Sequence, residues 1–215
     1  NMLITKIIKI LEIIILGFMF PLIVLYLNLS KYILPCLWTV FIYAFIIYFF
    51  FYKGKVDIKG FFKNLYIKKY TVFIFIRWII LSIILYYFTY FLFPEKLFAI
   101  QKSDSTLLYK IFLLYPLFSA FPQEFIFCSF FFKRYKSIFK NDNTLIYVSS
   151  IVFCFAHIFA INWVAPFLSI FGGLIFANTY KKTNSLLLVS LEHSLYGNTL
   201  FYLGLGWFFW GGSVE

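Results

Sequence analysis

Acidic side chains are scarce in this chain: eight Asp and Glu stand among 215 residues, against nineteen Lys and Arg. Histidine occurs twice and cysteine three times. Each shortage excludes something. Cys36, Cys128 and Cys154 are an odd set without paired spacing, which gives no disulfide framework. Lying in apolar stretches, they read as small buried hydrophobes. Charged residues make up 13% of the chain, whereas a soluble domain carries roughly 25%. Low-complexity tracts, internal repeats and flexible linkers are all missing. No segment is long and polar enough for a separate soluble domain, so residues 1–215 are expected to form a single transmembrane domain.

What is present is apolar: 63% hydrophobic and 26% aromatic. The excess is gathered into runs close to the ~20 residues that cross ~30 Å of hydrocarbon as a helix. Such runs lie near 10–28, 32–52, 70–93, 106–132, 144–160, 163–180 and 185–202, with a shorter apolar tail over 203–212. The expected fold is all-α, a polytopic transmembrane helix bundle of seven to eight spans. The first run is longer than a signal-peptide core and lacks a small-residue cleavage site, so it reads as a permanent span.

The net charge of +11 would suit a nucleic-acid partner, but its distribution points elsewhere. Fourteen of the nineteen basic residues lie in the N-terminus and in the connections 53–69, 133–143 and 181–184. The intervening connections hold only Lys31, Lys96 and Lys102, while Arg77 and Lys110 fall inside spans. That alternation is the positive-inside pattern. It predicts a multi-pass protein of the cell membrane with a cytoplasmic N-terminus, whose partner is the lipid bilayer and not nucleic acid. The stretch 60–69 mixes Phe61, Phe62, Leu65 and Tyr66 with Lys63, Lys68 and Lys69, which suits the cytoplasmic interface.

Against this background three titratable groups inside apolar runs stand out: Glu124, His157 and His193. An acidic group at a helix centre costs roughly 2.5–3.5 kcal/mol on insertion scales, so such groups mark function by default. At ~1.5 Å per residue, Glu124 lies roughly 13 Å from the basic end of its span, His193 roughly 12 Å and His157 roughly 20 Å. All three thus sit in the cytoplasmic half to the middle of the bilayer. Glu124 follows Pro116 and Pro122, and prolines in a membrane helix open the backbone ladder where neighbours or water can satisfy it. Ser169, Gly173 and Ala177, four apart, form a small-residue stripe for close helix approach. Taken singly, a membrane histidine is often an interhelical hydrogen-bond partner and a buried glutamate a packed neutral acid. The coincidence of all three, within residues 106–205, points to a functional centre.

The segments Pro-Gln-Glu-Phe-Ile-Phe-Cys-Ser-Phe-Phe-Phe-Lys-Arg-Tyr (122–135), Phe-Cys-Phe-Ala-His (153–157) and Leu-Glu-His-Ser-Leu-Tyr-Gly-Asn (191–198) resemble three motifs of the CPBP family. These are the CAAX-prenyl-endopeptidase and bacteriocin-processing intramembrane proteases, also called Abi. The family pattern is Glu-Glu-x-x-x-Arg, Phe-x-x-x-His and His-x-x-x-Asn on successive helices of an eight-span bundle. His157 fits the second motif, His193 the third, and Glu124 the second glutamate of the first. Gln123, Cys128 and Gly197 stand where the family has glutamate, arginine and asparagine, with Asn198 one residue late. At 100° per residue, Asn198 turns away from the face shared by His193 and Gly197.

The resemblance implies an intramembrane endopeptidase acting on a peptide or membrane-protein substrate. Glu124 with His157 would activate water, and His193 with Asn198 would hold the oxyanion. On this reading Glu124 and His157 should bracket one water, with Gln123 turned ~100° away unless the break at Pro122 rotates it inward. Gln123 and Glu192 are supporting candidates, and Glu192 has Arg77 as a candidate partner. No cofactor is favoured; the alternative is zinc on Glu124, His157 and His193, a catalytic ligand set with an open position. Two other functions compete. A catalytically impaired scaffold or immunity protein would explain Gln123, Cys128 and Gly197. A transporter would also bury Glu and His, but paired broken helices in two related halves are lacking.

Overall fold

The structure, a computed structural model, describes residues 2–52, 67–139 and 141–210. Residues 60–66 of the expected interfacial stretch, Lys140 and the end of the apolar tail at 211–212 lie outside the described residues. Among the described residues, five helices are long and apolar enough to cross a membrane: α1 (Leu3–Tyr26), α2 (Ser30–Tyr52), α3 (Lys69–Leu92), α4 (Ser105–Tyr135) and α5 (Asp142–Ala160). Two more, α6 (Val164–Thr183) and α7 (Leu186–Leu203), complete the bundle. These two have the length of spans but carry more polar side chains, of which Ser169, Thr179, Glu192 and His193 are buried. There is no strand among the described residues, and the fold is an all-α bundle. Among the described residues, the tail beyond α7 does not form an eighth span. The chain turns at Gly204, with φ +89°, into a short 3₁₀ segment, Leu205–Phe209.

The helix limits reflect local chemistry. Asp104, Asn141 and Ser185 accept the backbone N–H of Leu107, Thr144 and Leu188 at 3.1, 2.7 and 3.2 Å, capping the starts of α4, α5 and α7. Asn184 takes the left-handed conformation, φ 50°, that ends α6. Between caps, packing governs. A Cβ on Gly173 of α6 would lie 2.9 Å from Cα of Ser150 on α5, so glycine lets these two backbones meet. Ser169 and Ala177, one turn to either side, are buried in the same seam.

Side-chain bonds gather basic segments at one end of the bundle. Lys9 donates to Ser137 at 2.9 Å, Arg134 clasps Glu12 at 2.9 and 2.8 Å, and Lys181 reaches Asn143 at 3.2 Å. At the other end Ser30 donates to the Phe159 carbonyl and Asn162 to that of Phe208, both at 2.8 Å. The outer surface is strongly apolar, with Phe50, Phe91 and Leu113 among its exposed residues. Such a surface suits hydrocarbon.

Candidate active site

The site is built on an irregular helix. The first part of α4, Ser105–Tyr115, is regular, but Pro116–Ala120 and Phe125–Phe130 are π-helical, flanking the short α-turn Phe121–Glu124. Each proline removes an N–H and frees the carbonyl four residues earlier. Trp38 donates its indole N–H to the freed Phe118 carbonyl at 3.0 Å, and the Asn198 amide approaches that of Phe112 at 3.5 Å. Ser149 bonds the Phe127 carbonyl inside the second π stretch at 2.6 Å. Neighbouring helices thus hold the opened ladder, as membrane burial requires.

Tyr115, Ser119 and Gln123, four apart, line a cavity of about 630 Å³ together with His157, His193 and Gly197. Its remaining wall is largely apolar and draws on all seven helices. Gln123 donates its amide N–H to Ser119 at 2.9 Å, while its Oε1 is buried without a partner. Glu124, fully buried, is not on the cavity wall. Its Oε1 lies 2.6 Å from Nδ1 of His193 and its Oε2 accepts the Cys128 thiol at 3.1 Å. The expected bracketing of one water by Glu124 and His157 is therefore not the arrangement present. Gln123 lies on the cavity wall, the placement allowed for with a break at Pro122.

The two histidines are held differently. His157 lies just past the end of helix at Phe155, in a turn rather than mid-helix. Its Nδ1 donates to the Phe153 carbonyl at 2.7 Å, since a carbonyl can only accept. That fixes the tautomer and leaves Nε2 as an acceptor. The turn is pinned by Ser30 on the Phe159 carbonyl and by Asn162, which bonds Ala160 and Phe208 carbonyls and the Ala165 N–H. His193, on α7, stacks on Phe176 at 4.5 Å, and Phe153 presents itself to both imidazoles, at 4.7 Å from His157 and 5.7 Å from His193. Nε2 of His193 lies 2.9 Å from the Tyr115 hydroxyl.

The other candidates lie apart. Glu192 is fully buried and paired with Arg77, and it accepts Thr179 at 2.7 Å. It is not on the cavity wall, and neither is Asn198. The zinc alternative does not fit. Among the described residues no three His, Cys, Asp or Glu side chains are grouped to hold a metal ion, and the Glu124 carboxylate is committed to His193 and Cys128. Tyr115 and Ser119 were missed by sequence reasoning. Their signal was the four-residue spacing to Gln123, which puts all three on one helix face.

Fold and site together define an all-helical membrane protein with a two-histidine centre in an apolar cavity. Residues 105–209, which contain Tyr115, Gln123, Glu124, His157 and His193, match the family model of type II CAAX prenyl endopeptidase Rce1-like proteins, a protease family. This is the family that the three motifs resemble. Neither the curated proteins nor the solved structures give a significant match.

Proposed function

We propose that this protein is an intramembrane endopeptidase in which His157 and Gln123 handle the attacking water. The observation that carries the reading is the free Nε2 of His157 on the same cavity wall as the unpartnered Oε1 of Gln123. A water between them donates one hydrogen bond to each. Its oxygen attacks the peptide carbonyl carbon, its proton passes to His157 Nε2, and the carbonyl electron pair moves to oxygen. His157 then returns the proton to the leaving nitrogen as the C–N bond breaks. Gln123 orients the water and takes no proton. Glu124 holds the His193 ring and does not attack. The apolar wall suits a hydrophobic peptide or membrane-protein segment, and the basic end of the bundle, with the N-terminus, faces the cytoplasm across the cell membrane.

The test is cleavage of a hydrophobic peptide library by the purified protein in liposomes. His157→Ala is expected to lower the rate ~100-fold or more, the scale of general-base catalysis. Parental cleavage by that variant overturns the proposal. One observation favours a second reading, a non-catalytic scaffold or immunity protein: among the described residues no carboxylate lines the cavity around the histidines. A parent that never cleaves, with activity appearing only in Gln123→Glu, decides for that second reading.

A further inference from the structure

The position where the family motif has asparagine is Gly197, and its missing side chain is not replaced by empty space. The Tyr115 ring and hydroxyl occupy the place where a Cβ on Gly197 would project, overlapping it. The same hydroxyl is 2.9 Å from Nε2 of His193, whose Nδ1 is 2.6 Å from Glu124. Tyr115, His193 and Gly197 all line the cavity. A continuous chain thus runs from a buried carboxylate, through an imidazole, to a phenol at the cavity surface.

We propose that Tyr115 is a catalytic residue of this site, whose hydroxyl donates to the substrate carbonyl oxygen as it gains negative charge, in the space that Gly197 leaves open. This rests on the endopeptidase reading above. The proton inventory closes. With a hydrogen on each ring nitrogen, His193 donates from Nδ1 to Glu124 and from Nε2 to the phenol oxygen. The phenol O–H is then free to point at the substrate. No bond to Tyr115 forms or breaks; it supplies one hydrogen bond, polarised by the two groups behind it. Tyr115 would then do from α4 what an asparagine on α7 cannot do in a chain with glycine there. Gly197 is the condition for it, since any side chain would displace the ring.

The test is steady-state kinetics on a cleaved peptide. Tyr115→Phe removes the hydroxyl alone and keeps the ring over Gly197. Its kcat is expected to fall about 100-fold, the effect of losing one oxyanion donor, with KM little changed and the thermal midpoint in detergent unchanged. The double variant Tyr115→Ala/Gly197→Asn, which returns an amide donor to the vacated space, is expected to exceed Tyr115→Ala alone by roughly tenfold or more. Parental kcat in Tyr115→Phe overturns this proposal and leaves the endopeptidase reading standing. A parent that does not cleave overturns that reading and this proposal with it.

Discussion

At the scale of single residues, the site separates two roles that the motifs place side by side. Gln123 faces the cavity and Glu124 faces His193, so on the proposed mechanism the two neighbours serve different histidines. Glu124→Gln keeps an oxygen for the Nδ1–H of His193 while removing the charge. Cleavage is expected to fall roughly 10-fold, the weakening of one charged hydrogen bond by ~1.4 kcal/mol. A loss as large as that of His157→Ala, measured on the same peptide, would show that Glu124 itself carries the proton. Glu124→Ala is more severe, because it strands a buried imidazole. We expect a lower thermal midpoint in detergent and ~3–5 kcal/mol of lost stability, as when one partner of a buried pair is removed. Three candidate residues, Glu124, His157 and His193, were legible because titratable groups are costly in hydrocarbon and therefore conspicuous. The orientation of Glu124 was not, since neighbouring residues differ by ~100° only while the helix stays regular.

At the scale of elements, the spans were readable, whereas their caps and irregularities were not. Apolar runs of span length mark the helices themselves, while the caps Asp104, Asn141 and Ser185 emerge only with the structure. The two π stretches of α4 are different. Pro116 and Pro122 signal a disturbed ladder, but its form depends on Trp38, Ser149 and Asn198 meeting the freed carbonyls from other helices. Likewise, the turn at His157 depends on Asn162, which bonds carbonyls on both sides of it. Asn198, expected at the oxyanion, supports a backbone carbonyl instead. The α5–α6 seam gives a direct test of packing. A valine at Gly173 would place its Cβ 2.9 Å from Cα of Ser150, and backbone cannot give way as a flexible side chain would. Gly173→Val is expected to separate the helices at a cost of ~1–3 kcal/mol, read as a lower thermal midpoint. An unchanged midpoint would mean that the seam is not close-packed.

At the scale of the whole molecule, apolar surface, cavity and charge describe one arrangement relative to a membrane. Ile84, Phe167 and Phe171 line the cavity and are also exposed on the outer face. The chamber therefore communicates with the lipid-facing side between α3 and α6, a route suited to a hydrophobic substrate. The charge at the two ends is expected to set sidedness. The bonds Lys9–Ser137 and Lys181–Asn143 join basic segments at one end, while Lys96 lies over Trp207 at the other, 4.4 Å from its ring. Charge bias of this kind sets orientation during insertion, so the end with Asn143 is expected in the cytoplasm and the end with Ser103 outside. Single thiols test this in intact cells, with Cys36, Cys128 and Cys154 first changed to serine. A membrane-impermeant maleimide should label Ser103→Cys directly, and Asn143→Cys only after the membrane is opened. Neither position is buried, so failure to label reflects the barrier and not occlusion by the protein. The opposite pattern would place the Rce1-like half in reverse. It would then move the histidine centre from the cytoplasmic half of the bilayer to the outer one, and the substrate would have to be presented from outside the cell.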